Sequence, residues 1–117
     1  MNESPSAEAA VLRHVRTETP IGVMDFAIRM DGHHERPLRI TQVPSVDALR
    51  VDLAGQTIAL IDRNHFFVWL RTQDRLPFAM ENVTWSWVGL HLRVNLAGMD
   101  CVFPDESITT LRLLAGR

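Results

Sequence analysis

The chain has 117 residues, a formal net charge of -2, and 46% hydrophobic and 22% charged side chains, enough for one hydrophobic core but too little for a catalytic domain beside a regulatory one. All 12 cationic side chains are Arg, and neither Lys nor Tyr occurs, which excludes Schiff-base lysines, phosphate loops that need Lys, and phenolic acids or nucleophiles. Charges of both signs are interspersed, the 6 glycines form no Gly-x-Gly pair, and no apolar run approaches the ~20 residues of a membrane span, so no nucleic-acid, nucleotide or membrane partner is expected.

Residues 1–19 read as an N-terminal helix or partly disordered arm. Ser4-Pro5 followed by Ser6 and Glu8 resembles a helix start, and Val11, Leu12 and Val15 share a helical face over about residues 6–16. Thr19-Pro20 stops it. No export signal is visible, and Cys101 is the single cysteine. A cytoplasmic protein with no internal disulfide and no cofactor is expected.

From Val23 the apolar period becomes 2, the mark of half-buried strands, and residues 20–117 read as one β domain. Met24, Phe26, Ile28 and Met30 alternate with polar or small residues, and Asp31 to Arg36 is a turn. Leu38 and Ile40 define a second strand, ended by Pro44. Leu49, Val51 and Leu53 define a third, and Ala54-Gly55 turns the chain into Thr57–Ile61.

After a turn at Asp62-Arg63-Asn64, residues 65–71 read as a strand apolar on both faces, with Phe66, Val68 and Leu70 inward and Phe67 and Trp69 outward. Strands follow at Val83–Val88, with Trp85 and Trp87 inward, and at Leu90–Leu96. A further short strand runs through Val102 and Phe103. The tail fits either a helix from Asp105 to Gly116 or a strand.

This pattern predicts a mainly β fold, a small antiparallel barrel or sandwich of about 7–8 strands with a short N-terminal helix. With a helical tail its shape would be like that of pleckstrin-homology folds, an analogy of form that carries no function. Leu49-Arg50-Val51-Asp52-Leu53-Ala54-Gly55 returns as Leu92-Arg93-Val94-Asn95-Leu96-Ala97-Gly98. Either a duplicated hairpin or independent alternation with a glycine turn explains it.

Three polar groups are candidates for chemistry. His33, His34 and Glu35 are metal-ligand types, yet adjacent residues of an extended chain point opposite ways, so a site would need His65, His91 or Cys101 as recruits. Asp62 beside His65 could orient a general base, but no nucleophile is near it. Cys101 reads as a buried small hydrophobe and Ser86 lacks a nucleophile turn. Arg29, Arg39, Arg50 and Arg93 read as outward charges paired across strands.

The leading expectation is a non-catalytic module that binds a protein partner or a second copy of itself. Its interface centres on Phe67 and Trp69, with His65 and Arg71 at the polar rim. The alternatives are a minimal metal-dependent or acid-base enzyme using His33, His34, Glu35 and His65, and a small-ligand binder with a pocket between Trp69, Trp85 and Trp87.

Overall fold

A computed structural model describes residues 10–18, 22–29 and 34–116. Among them the first strands are β1 (Ala10–Glu18), β2 (Val23–Arg29), β3 (Arg36–Val43), β4 (Ala48–Leu53) and β5 (Gln56–Asp62). Helix α1 (Arg63–Thr72) follows, then β6 (Phe78–Met80), β7 (Val83–Val88), β8 (His91–Leu96), β9 (Met99–Val102) and helix α2 (Ile108–Gly116). The strands form one sheet in the order β5-β4-β3-β2-β1-β9-β8-β7-β6, curled into a nearly closed barrel-like shape. The mainly β expectation stands, with nine strands in place of seven or eight. Nine strands with one helix between them also depart from the pleckstrin-homology-like shape.

Two elements differ from the sequence expectation, each for a local reason. Residues 10–18 are a strand and not a helix, while residues 6–9 of the expected helix lie outside the described residues. β1 pairs antiparallel with β2, and its register shifts between His14 and Arg16. The bulge breaks the period of two, so that Leu12 is buried while Val11 and Val15, on its supposed helical face, are 65% and 50% exposed.

Residues 65–71 are the second difference, because the expected greasy strand is the body of α1. Asp62 starts it: its Oδ2 accepts a hydrogen bond from the His65 backbone N–H at 2.9 Å, satisfying one of the orphan donors of a helix start. Phe66, Trp69 and Leu70 are buried at helical spacing. Gln73 closes the helix at φ 51°, its N–H donating to the Trp69 carbonyl at 3.0 Å.

The ladders are antiparallel except for β1 and β9, which run parallel at Ala10–Cys101 and Val11–Val102. The all-antiparallel expectation fails at that pair alone. Alternation names the inward residues of a strand without naming its neighbour, so the sequence carries no signal of it.

The inward residues of both halves of the sheet belong to one buried cluster with α1 and α2. Rings run through it in contact: Trp87 on Trp69, Trp69 on Phe66, Phe66 on Trp85 at 4.5 Å, and Trp85 on Phe103. The helical reading of the tail is the one realised, in α2. Its last turn is tied down by side chains, Gln42 Nε2 donating to the Leu114 carbonyl and Arg63 Nη1 to the Ala115 carbonyl at 2.7 Å. Carbonyls that a helix end would leave to water are thereby satisfied within the fold.

Both copies of the repeated heptapeptide form the same hairpin. Ala54 and Gly55 have φ of 52° and 81°, and Ala97 and Gly98 of 51° and 91°. Two successive positive φ values match the right-handed twist of the flanking strands, a geometry that suits Gly and strains Ala.

Candidate functional site

Helix α1 presents three faces. Phe66, Leu70 and Trp69 face the core, Trp69 being 6% exposed. Phe67 is half-buried and turned toward α2, where its ring lies against Gly116, and the Arg71 guanidinium sits 5.6 Å from the centre of the same ring. His65, Val68 and Thr72 form the third face, which borders a cleft.

The four residues expected to form one interface are therefore split. His65 and Trp69 line the cleft, whereas Phe67 and Arg71 belong to the contact between the helices. A helix turns neighbours through about 100° per residue, so residues that would alternate on a strand spread round its axis. Trp69 is also held by a hydrogen bond from its Nε1 to the Leu76 carbonyl at 2.7 Å, which fixes the chain that leaves α1.

The cleft lies between α1 and β6 and encloses about 450 Å³. Its lining is mostly apolar, from Val68, Trp69, Leu76, Pro77, Phe78 and Met80. Leu76 is 72% and Val68 46% exposed at its mouth. The His65 ring meets Phe78 edge-on at 5.5 Å and forms one wall. β6 pairs only with β7 and so ends the sheet, leaving one side of its backbone without a ladder. Sequence reasoning misses Leu76 and β6; the signal available is an apolar Leu76 followed by Pro77 and Phe78 just past a helix end.

The other large hollow, about 560 Å³ on the outer surface of the first strands, is lined by Val15, Ala27, Pro37, Asp25, Arg39 and Glu35 among others. Its charges already satisfy one another. Arg39 donates to both oxygens of Asp25 at 2.7 and 3.2 Å, and Arg16 donates to Asp25 at 3.2 Å. The hydrogen bond from Arg39, followed by that from Arg16, holds the Asp25 carboxyl below its ordinary value despite partial burial. Arg50 pairs with Asp52 at 3.1 Å, so Arg39 and Arg50 are paired outward charges as the sequence implies.

The metal candidates are not gathered. His33 lies outside the described residues. Glu35 accepts from Arg13 at 2.7 and 3.1 Å, a contact that also holds its carboxyl below the ordinary value. His91 pairs with Asp105 at 3.1 Å, and Cys101 is buried. Burial, with the nearby Asp100 charge, pushes the Cys101 thiol up to about 12. Among the described residues no group of three His, Cys, Asp or Glu side chains is placed to hold a metal ion. The Asp62 carboxylate is spent on the helix start and does not orient the His65 ring.

The three tryptophans pack into the aromatic core, and the Nε1 atoms of Trp85 and Trp87 are buried without a partner. Comparison with protein-family models, curated proteins and solved structures finds no match.

Proposed function

We propose that this chain is a small non-catalytic binding module that captures a protein partner in the cleft between α1 and β6. The carrying observation is the exposure of Leu76 and Val68 at the mouth of an apolar cleft beside an unladdered strand. Fully burying each of these side chains is worth roughly 1.5–3 kcal/mol, and contiguous exposed apolar surface marks interaction sites. Backbone groups at a free sheet edge add hydrogen bonds that a polypeptide can satisfy.

The anchors of this reading are Val68, Leu76 and Met80, with His65 at the rim and Trp69 as the floor. Phe67 and Arg71 support the cleft from behind by fixing α1 on α2. The test is retention of proteins from an extract of the source cells by wild-type chain and by Val68→Asp and Leu76→Asp side by side. Both substitutions are at exposed positions, so the fold is retained, and loss of a specifically retained protein from both variants is expected. Equal retention by all three chains removes the cleft from consideration. Light scattering on the same samples separates capture of another protein from self-association.

A further inference from the structure

The free edges of the sheet have a counterpart elsewhere in the molecule. β2–β5 and β6–β9 are successive four-strand meanders, each followed by a helix, and both run the same way round the sheet. Their third and fourth strands are joined by the same Ala-Gly turn with the same backbone. Their first strands carry Phe26-Ala27-Ile28 and Phe78-Ala79-Met80, with the Phe buried in each. Even the wall is alike, because the His14 ring lies 5.4 Å from Phe26 and the His65 ring 5.5 Å from Phe78.

Two meanders joined round a barrel make two junctions. The one between β9 and β2 is filled by β1, which belongs to neither meander and runs antiparallel to β2 and parallel to β9. The one between β5 and β6 holds no strand among the described residues, and the two edges approach each other without a ladder. We infer that the β5–β6 junction is the unfilled equivalent of the β1 slot, and that it takes an extended segment of a different protein, antiparallel to β6 and parallel to β5. This inference rests on the proposed protein-binding role and specifies its geometry.

The backbone of β6 supports that orientation. Met80 and Val83 flank a two-residue turn and pair with each other, and Ala79 pairs with Thr84. The turn bond joins the flanking residues, and bonded and non-bonded pairs alternate along an antiparallel ladder. The N–H and C=O of Ala79 therefore point away from β7, toward the junction, and its side chain is exposed.

β1 shows what fits such a slot. Leu12 is 1% exposed and turned inward, while Val11 and Arg13 on either side face out. The occupant is correspondingly a segment with apolar side chains at alternate positions, placing one against Met80 and Leu76 in the cleft. β1 of a second copy is already committed along its length to its own β2, so the segment comes from another protein.

The test is amide hydrogen exchange on the full chain, alone and with millimolar synthetic peptide of the β1 sequence, residues 10–18, as probe. The Ala79 amide should exchange freely in the chain alone. The peptide should slow it by about tenfold, together with amides of β5 and without change in β2. A peptide with Leu12→Asp should have no effect, and Ala79→Pro, tolerated at a free edge, should abolish the response. Should Ala79→Pro not fold, a peptide with Arg13→Pro takes its place and should likewise fail to slow exchange.

An Ala79 amide already protected in the monomer means that the chain fills its own junction, and overturns the inference. Protection through a dimer makes a second copy the occupant and overturns it too. No slowing at Phe78–Met80 overturns it outright. Slowing confined to His65–Thr72 leaves the cleft reading standing and removes strand insertion.

Discussion

Gly116 lies so close to Phe67 that a Cβ built on it would come 2.7 Å from the ring carbon Cε1. The contact joins the start of one helix to the end of the other, next to the hydrogen bond from Arg63 to the Ala115 carbonyl. Helix propensity alone favours Ala over Gly by about 1 kcal/mol. Overpacking costs about 1–3 kcal/mol, so the steric effect should win. Gly116→Ala is expected to lower stability in denaturant unfolding, and Gly116→Ala combined with Phe67→Leu to recover part of the loss.

Trp69 and Val68 are neighbours in sequence with opposite duties. Trp69→Ala removes a buried ring and the bond to Leu76, and should cost about 3–5 kcal/mol. That exceeds half the stability of many domains of about this size, so extensive unfolding is expected in circular dichroism. Val68→Asp, at an exposed position, should change the melting temperature little. If the two variants unfold alike, α1 does not have the orientation described.

Arg63 and Gln42 hold the last carbonyls of α2. Arg63→Met keeps the stem and removes the donors, including the bond to Asp47 at 2.6 Å. A lost charged hydrogen bond costs about 1.5–3 kcal/mol. Faster amide exchange in the last turn of α2, with β7 and β8 unchanged, is the expected signature.

Two groups shape the pH dependence. Asp25 has a folded pKa below its unfolded value, so the stability it contributes is complete above about pH 4–5 and is lost as pH falls through the lower folded value. Arg39→Gln should flatten that acid limb. Cys101 has a folded pKa raised to about 12, so its contribution is present below the unfolded thiol value of about 8.5 and declines as pH rises beyond it, while the native thiol stays protonated. Native protein should resist alkylation at neutral pH until unfolded, and Cys101→Val should remove the alkaline decline.

Ala54 and Ala97 occupy left-handed turn positions. Asn tolerates that conformation and Ala does not, so Ala54→Asn should stabilise by roughly 0.5–1 kcal/mol. At Ala97 the hairpin has further ties, with Asn95 Oδ1 accepting from the Gly98 N–H and its Nδ2 donating to Asp100, both at 2.9 Å. Ala97→Asn should gain as much only if those bonds persist, which the amide exchange of Gly98 reports.

Strands with clean alternation are legible in the sequence: β2, β3, β4, β7 and β8 lie close to where Met24, Leu38, Val51, Trp85 and Val94 put them. Both Ala-Gly turns are equally plain. α1 is not, because Phe66 to Leu70 is apolar throughout and satisfies periods of 2 and 3.6 alike. The deciding marks are the Asp62 cap and the left-handed Gln73, side-chain and backbone details that a hydrophobic pattern does not contain. β1 is hidden by its bulge, and β6 by its three residues, too short to alternate. The cleft is half visible: His65 and Trp69 stand out in the sequence, but Val68 reads there as core and Leu76 as loop.

The central claim, capture of a protein between α1 and β6, is tested most directly by amide exchange on the complex of the chain with the protein it retains from its source cells. Slowed exchange at His65–Thr72 and Phe78–Met80, absent when Leu76→Asp is used, is the predicted result. Protection confined to the outer surface of β1–β4, with α1 and β6 unchanged, would contradict it.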